Sequence, residues 1–229
     1  MTGISSSLTF LFGPRVRLAF VTHLELVDVI IDSRPPHNPF FQGLWFVCLK
    51  HLSIVTTVPP TSQPRSARQY DLHRVAAHLQ VIVLLGYQPL LWQEMTRAAP
   101  RLYFLCTLVF GGPTTAASAQ ASQHPGDPRH LANILRQLPA QSQFGTISLA
   151  TAPFSVCHAV DVRVALLHSY PSLGRLHTLQ LPVLHESVLA QGEDLDTAQQ
   201  ELQVVADLAT TRGILVVWKD AGSAPFATS

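Results

Sequence analysis

Histidine heads three short apolar phrases, His23-Leu24-Glu25-Leu26-Val27, His51-Leu52-Ser53-Ile54-Val55 and His78-Leu79-Gln80-Val81-Ile82. On neighbouring parallel strands in register, such imidazoles would stack on one face at about 4.8 Å per strand. Glu25, Ser53 and Gln80 would form a second row beside them. Zinc needs three or four ligands converging at about 2 Å. A straight row does not converge, so no metal is expected. Stacked imidazoles resist joint protonation, which would make a partner surface sensitive to pH. The plainer alternative is that histidine only fills a flanking position at a turn.

The remaining chemistry-bearing residues form no catalytic pattern. Cys157-His158 could suggest a thiol nucleophile, but neighbours on an extended strand point to opposite faces. A buried, inert Cys157 is the expectation, with Cys48 and Cys106 in the core. His23-Leu24-Glu25 matches the deaminase His-x-Glu, yet no Cys-x-x-Cys accompanies it. Gly111-Gly112-Pro113 lacks the lysine and the helix start of a phosphate-binding loop. Nucleophile-elbow and dinucleotide-binding patterns are absent as well. Glu193 and Asp194 read as partners of a helix N-terminus. No cofactor is expected, and catalysis is not.

Composition narrows the class further. The 229 residues are 47% hydrophobic but only 13% charged, with a net charge of +1. That balance gives no electrostatic bias toward nucleic acid or an anionic membrane. Three cysteines cannot build a disulfide framework, which points to a reducing, intracellular (cytoplasmic or nuclear) setting. The longest strongly apolar run, Leu79 to Trp92, is interrupted by Gly86, Gln88 and Pro89 and falls short of the ~20 residues of a membrane span.

The elements that must position these residues follow a repeating order. Further strand phrases are Leu105 to Phe110, Gly145 to Leu149, His177 to Leu181 and Gly213 to Trp218, each with apolar residues at alternate positions. Aligned on Leu24, Leu52, Leu79, Leu108, Ile147 and Leu179, they are 28, 27, 29, 39 and 32 residues apart. Helices fit between them. Asp127-Pro128 opens one through Leu131, Ile134, Leu135 and Leu138, and Pro139 stops it. A longer one spans Asp196 to Arg212, with Gly213 as its C-cap. Weaker helices are expected over Ser66 to Ala77, Pro89 to Ala98 and Asp161 to Tyr170, with a short one from Asn38 to Leu44. Loops fall at Ser33 to Asn38, Val58 to Arg65, Gly111 to Gly126 and Pro182 to Asp194.

Strands that alternate with helices pair in parallel. Sheets covered on both faces have unbroken apolar strands, whereas these keep Glu25, Ser53, Gln80, Thr146, Ser148, Thr178 and Gln180 at alternate positions. One face is therefore expected to be wet. The class is α/β, an irregular leucine-rich-repeat-like horseshoe solenoid with a parallel sheet exposed on one face. Leu49-x-x-Leu52-x-Ile54, Leu176-x-x-Leu179-x-Leu181 and Val21-x-x-Leu24-x-Leu26 fit the Leu-x-x-Leu-x-Leu pattern. A doubly wound α/β sheet is the alternative.

The phrases Leu49 to Ile54, Pro100 to Leu105, Tyr170 to Pro182 and Arg212 to Trp218 give the chain a further likeness. It resembles the C-terminal leucine-rich-repeat region of the F-box-like proteins of mushroom-forming fungi, over roughly residues 18 to 220. The resemblance implies the target-recognition part of a ubiquitin-ligase adaptor. Such proteins carry an N-terminal F-box, and nothing before Leu18 is long enough to be one. The organisation expected is an N-terminal segment over 1–17, the repeat domain over 18–220 and a flexible tail over 221–229. The expected function is protein–protein recognition, without nucleic acid or membrane, through Glu25, His51, Ser53, His78, Gln80, Thr178 and Gln180. Val27, Val55 and Ile82 would be its apolar contacts. The competing readings are a small α/β hydrolase or transferase with no recognisable motif, and a gene fragment without independent function.

Overall fold

A computed structural model describes residues 16–27, 44–46, 48–55, 71–86, 89–112, 130–168 and 170–221. The strands are β1 (Val16–Leu18), β2 (His23–Val27), β3 (Leu44–Phe46), β4 (His51–Val55), β5 (Val81–Leu85), β6 (Thr107–Gly111), β7 (Thr146–Ser148), β8 (Thr178–Val183) and β9 (Leu215–Asp220). The α-helices are α1 (Pro89–Ala98), α2 (His130–Gln137), α3 (Val156–Leu167) and α4 (Leu195–Thr211).

Seven strands make one open, all-parallel sheet in the order β2-β4-β5-β6-β7-β8-β9. Among the described strands the order never reverses, so they form no switch point of the doubly wound kind. β1 and β3 form a separate two-stranded parallel ladder just ahead of β2 and β4. A further parallel bridge joins Phe154 to Leu189, downstream of β7 and β8.

A repeated entry fixes the pairing. From β2 to β7, the carbonyl just before each strand of the sheet accepts both N–H groups that open the next one. Thr22 O receives Lys50 and His51, Lys50 O receives Gln80 and Val81, and Gln80 O receives Cys106 and Thr107. Cys106 O then receives Gly145 and Thr146, and Gly145 O receives His177 and Thr178, all ten bonds lying between 2.7 and 3.1 Å. The chain reaches several of these entries through a 3₁₀ turn, as at Ala76–His78, Ala99–Arg101 and Pro171–Arg175.

With this register the apolar pattern is more regular than the sequence spacing suggests. Leu49-x-x-Leu52-x-Ile54, Leu79-x-x-Ile82-x-Leu84, Leu105-x-x-Leu108-x-Phe110, Phe144-x-x-Ile147-x-Leu149 and Leu176-x-x-Leu179-x-Leu181 are buried at all three apolar positions. In Val21-x-x-Leu24-x-Leu26, at the end of the sheet, only Leu26 is fully buried. These residues belong to one continuous core shared with the inner faces of the helices. The helices supply Leu91, Trp92 and Met95 from α1, Leu131, Ile134 and Leu135 from α2, Val162 and Leu166 from α3, and Leu202 and Val205 from α4. Each such side chain contributes about 1.5–3 kcal/mol on burial.

The helices form by local rules. α1 spans the expected residues, and α2 and α4 agree with expectation within their described parts. Asp194 caps α4 by accepting from Thr197 N at 2.8 Å, and Gly213 ends it at φ +73°. α3 starts at Val156 rather than Asp161, because Ser155 supplies an N-cap whose Oγ accepts from Cys157 N. Cys157-His158 therefore lies in the first turn of a helix and not on a strand. Over Ser66 to Ala77 the described part, from Asp71, is a pair of 3₁₀ turns entered through a left-handed Asp71 at φ 57°. Leu44 begins a strand instead of ending a helix, and residues 38–43 lie outside the described residues. Pro182 and Val183 extend β8. The expected loops 33–38 and 58–65, all but Gly111 and Gly112 of the loop from 111 to 126, residues 1–15 and nearly all of the tail also lie outside them.

Two glycines close the ends of neighbouring strands. Gly112 has φ +92°, and a Cβ there would sit 2.4 Å from Gly86 N. Gly112→Ala should therefore destabilise through both strain and collision. Phe110→Ala, at the centre of the core, should lose about 3–5 kcal/mol. Urea unfolding measures both, and a loss at Phe110 below about 1 kcal/mol contradicts the core assignment.

Candidate functional site

The face of the sheet turned away from the helices carries three rows of side chains. The first row, from one end of the sheet to the other, is His23, His51, Val81, Thr107, Thr146, Thr178 and Leu215. The second is Glu25, Ser53, Val83, Val109, Ser148, Gln180 and Val217. Val27, Val55, Leu85 and Gly111 begin the third. Val83 and Val109 are buried yet lie outside the core cluster that joins strands to helices, as residues on the opposite side of the sheet must.

The expectation of a wet face holds only in part. The first row is half-buried from His51 to Thr178, and both ends are exposed. The second row is buried in its middle, at Ser53, Val83, Val109 and Ser148. Thr151 Oγ1 fills the place a Cβ of Gly111 would take in the third row, and Ser148 Oγ accepts from Ala150 N at 3.4 Å, so the segment after β7 closes on part of this face.

The expected binding residues divide accordingly. Glu25 is exposed on β2, His51 is half-buried, and Thr178 and Gln180 lie half-buried side by side on β8. Ser53 is on this face but only 4% exposed. His78 and Gln80 are not on a strand. His78 ends a 3₁₀ turn, exposed, and Gln80 is the entry residue before β5. Val81 takes the place opposite His51 and Val83 the place opposite Ser53. The expected stack of three histidines is thus a pair, and the row Glu25, Ser53, Gln80 does not form. Ile82 points into the core with no exposure, and Leu85 replaces it beside Val27 and Val55.

What the sequence reading missed is Thr107, which completes a ladder of threonines with Thr146 and Thr178. Thr107, Thr146 and Thr178 are in direct register on β6, β7 and β8. Each precedes a buried Leu or Ile, so the recurring pair Thr107-Leu108, Thr146-Ile147 and Thr178-Leu179 was the available signal. His177 Nδ1 lies 2.9 Å from Thr178 Oγ1 and continues the polar row outward. At the other end, His23 and His51 have ring centroids 4.0 Å apart. Between these ends, Val81 to Thr178 and Val83 to Gln180 include no charged side chain. The surface is therefore a neutral strip of hydroxyls, methyls and one amide, suited to hydrogen bonding and shape matching rather than charge attraction.

No family model, curated protein or solved structure matches this chain.

Other reactive groups do not converge. Cys48 and Cys157 are exposed and Cys106 is half-buried, which corrects their expected burial. Cys48 precedes the entry turn of β4 and Cys157 sits on the outer side of the first turn of α3, so apolar sequence neighbours do not enclose them. The Cys106 thiol points to the Phe104 carbonyl at 3.3 Å, and burial pushes its pKa up, against nucleophilic use. Among the described residues no group of three His, Cys, Asp or Glu could hold a metal ion, and no helix is long and apolar enough to cross a membrane. Glu193 is bound by Ser155 Oγ at 2.8 Å and so ties the start of α4 to the start of α3.

His158 is strongly perturbed. It is buried on the helix side, edge-on to Phe110 at 5.8 Å, and hydrogen-bonds to the Gly112 backbone. Burial lowers its pKa to about 4 against an ordinary 6.5, while the bond to Gly112 pulls the other way. The unfolded chain takes up this proton at higher pH than the folded one. Stability should therefore be complete above about pH 6.5 and fall toward pH 4, by up to roughly 3 kcal/mol. Urea unfolding from pH 7 to 5 should show a smaller decline for His158→Gln than for the native chain. Equal declines would contradict a neutral buried imidazole.

Proposed function

We propose that the chain is a recognition module that binds a protein partner on the strand face opposite its helices. The observation that carries this reading is the one-sided build of the sheet. Every described helix contributes to a single core on one side, and the other side presents an in-register, uncharged polar row. Six copies of Leu-x-x-Leu-x-Leu, in strictly sequential parallel order, support a leucine-rich-repeat-like solenoid as the underlying architecture. Successive strand origins are 28, 30, 26, 39, 32 and 37 residues apart, so the repeats are irregular.

The binding residues of this proposal are His51, Thr107, Thr146, Thr178 and Gln180, with Glu25 at the exposed edge. Their chemistry is donor and acceptor pairing across a shallow surface. No covalent step is required. An enzyme of the doubly wound kind would place its ligand where the strand order reverses, and this sheet offers no such place. The resemblance to F-box-like proteins adds a destination for the bound partner, presentation to a ubiquitin ligase. That role needs an F-box module beyond the described residues.

The test compares two folded variants with the native chain in affinity capture from the source cells. Thr146→Arg with Gln180→Arg alters the strand face, and Gln203→Arg alters the outer surface of α4. Partners captured by the native chain should be lost by the first variant, by tenfold or more for a buried arginine clash of about 1.4 kcal/mol, and kept by the second. Loss in the α4 variant alone, or equal capture by all three, overturns the reading. Thermal unfolding confirms that each variant is folded.

A further inference from the structure

We propose that the His23–His51 contact is a pH-operated catch on the first edge of the sheet, and that protonation of the pair releases β2 from β4. The proposal stands on the pairing itself and does not depend on what the strand face binds.

β2 is the terminal strand of the seven-stranded sheet among the described residues and pairs only with β4, over five residues. Its hold on the core is weaker than that of the inner strands beside it. Leu26 is buried and Leu24 only half-buried, whereas the equivalent pairs Leu52 and Ile54, Ile82 and Leu84, and Leu108 and Phe110 are all buried. Edge elements with so few buried contacts open locally at a fraction of the global stability.

The two imidazoles meet directly across this weak pairing, with centroids 4.0 Å apart and planes tilted by 40°. His23 is exposed and its Nδ1 lies 2.8 Å from Thr22 Oγ1. His51 is half-buried. The other titratable or charged side chains described at this end are Glu25, two residues along β2, Lys50, immediately before β4, the Cys48 thiol, and His78 on the turn into β5. From β5 itself the neighbour of His51 is the uncharged Val81. Among the described residues Glu25 is the carboxylate at this end, against the cation Lys50 and the imidazole of His78. Burial, His23 and Lys50 each push ionisation of His51 below the ordinary imidazole range.

The direction follows from proton counting. With β2 paired, the second proton must enter beside the first at ring-contact distance. With β2 released, the rings separate and His51 loses both the burial and the neighbouring ring that oppose its proton. The released form therefore holds more protons, and falling pH below about 6.5 shifts the balance toward it. This effect is confined to one edge, unlike that of His158, which acts through the core shared by all strands.

Hydrogen exchange on the full chain at pH 7.5 and 5.5, corrected for intrinsic rates, separates the two. Protection of Leu24 to Val27 should fall further at the lower pH than protection of β8 does. His23→Gln should reduce this excess loss, leaving the part that burial of His51 contributes. An equal fall in β2 and β8, or an excess as large in His23→Gln as in the native chain, overturns the proposal. In the same variant the imidazole proton resonance of His51 should titrate at higher pH than in the native chain, and an unmoved midpoint also overturns it.

Discussion

The carbonyl that precedes each strand holds this architecture in order. By accepting two consecutive N–H groups from the next repeat, Thr22, Lys50, Gln80, Cys106 and Gly145 each set where the following strand begins. That choice fixes parallel direction and register together. Once the register is set, apolar residues at three positions of each repeat fall on one side, and the helices have a continuous surface to cover. The connections between strands can then vary widely in length without disturbing the sheet, because loop length adds little to the closure entropy.

One-sidedness is the consequence that matters for function. A parallel sheet with helices on both faces would be all core. Here the second face keeps threonine, serine, histidine and glutamine among its β-branched apolar residues. Charged groups are confined to the ends, at Glu25 and Lys219. A partner on this face would be read by fit and by hydrogen bonds. The same arrangement gives the two ends of the sheet different characters. β9 is exposed at Leu215 and Trp218, while β2 carries the histidine contact.

Much of this was legible in the sequence, and the failures have a common origin. The parallel order, α1, α2 and α4, and the identity of β2, β4, β7 and β8 follow from periodicity and capping. The third phrase misled because the apolar pattern contains an internal spacing of three. Leu79 occupies the first apolar position of its repeat and Leu52 the second, so aligning the two shifts the copy by three residues. An odd shift exchanges the faces of a strand. That single slip put His78 and Gln80 on the strand face and turned Ile82 outward, whereas Val81, Val83 and Leu85 belong there. The burial of Ser53 and Ser148 could not be read from one strand at a time, because tertiary packing on that face sets it. For α3 a legible cap at Ser155 was overridden by a run of residues that also suits a strand.

Thiol accessibility on neighbouring residues of β7 tests the one-sided sheet most directly. In a chain with Cys48, Cys106 and Cys157 replaced by serine, single cysteines at Thr146→Cys and Ile147→Cys would be labelled under native conditions. Thr146 is half-buried on the strand face and Ile147 is fully buried against the helices. Thr146→Cys should react readily, and Ile147→Cys should react only as fast as the protein unfolds. Comparable rates at the two sites, or protection of Thr146→Cys alone, would contradict the arrangement.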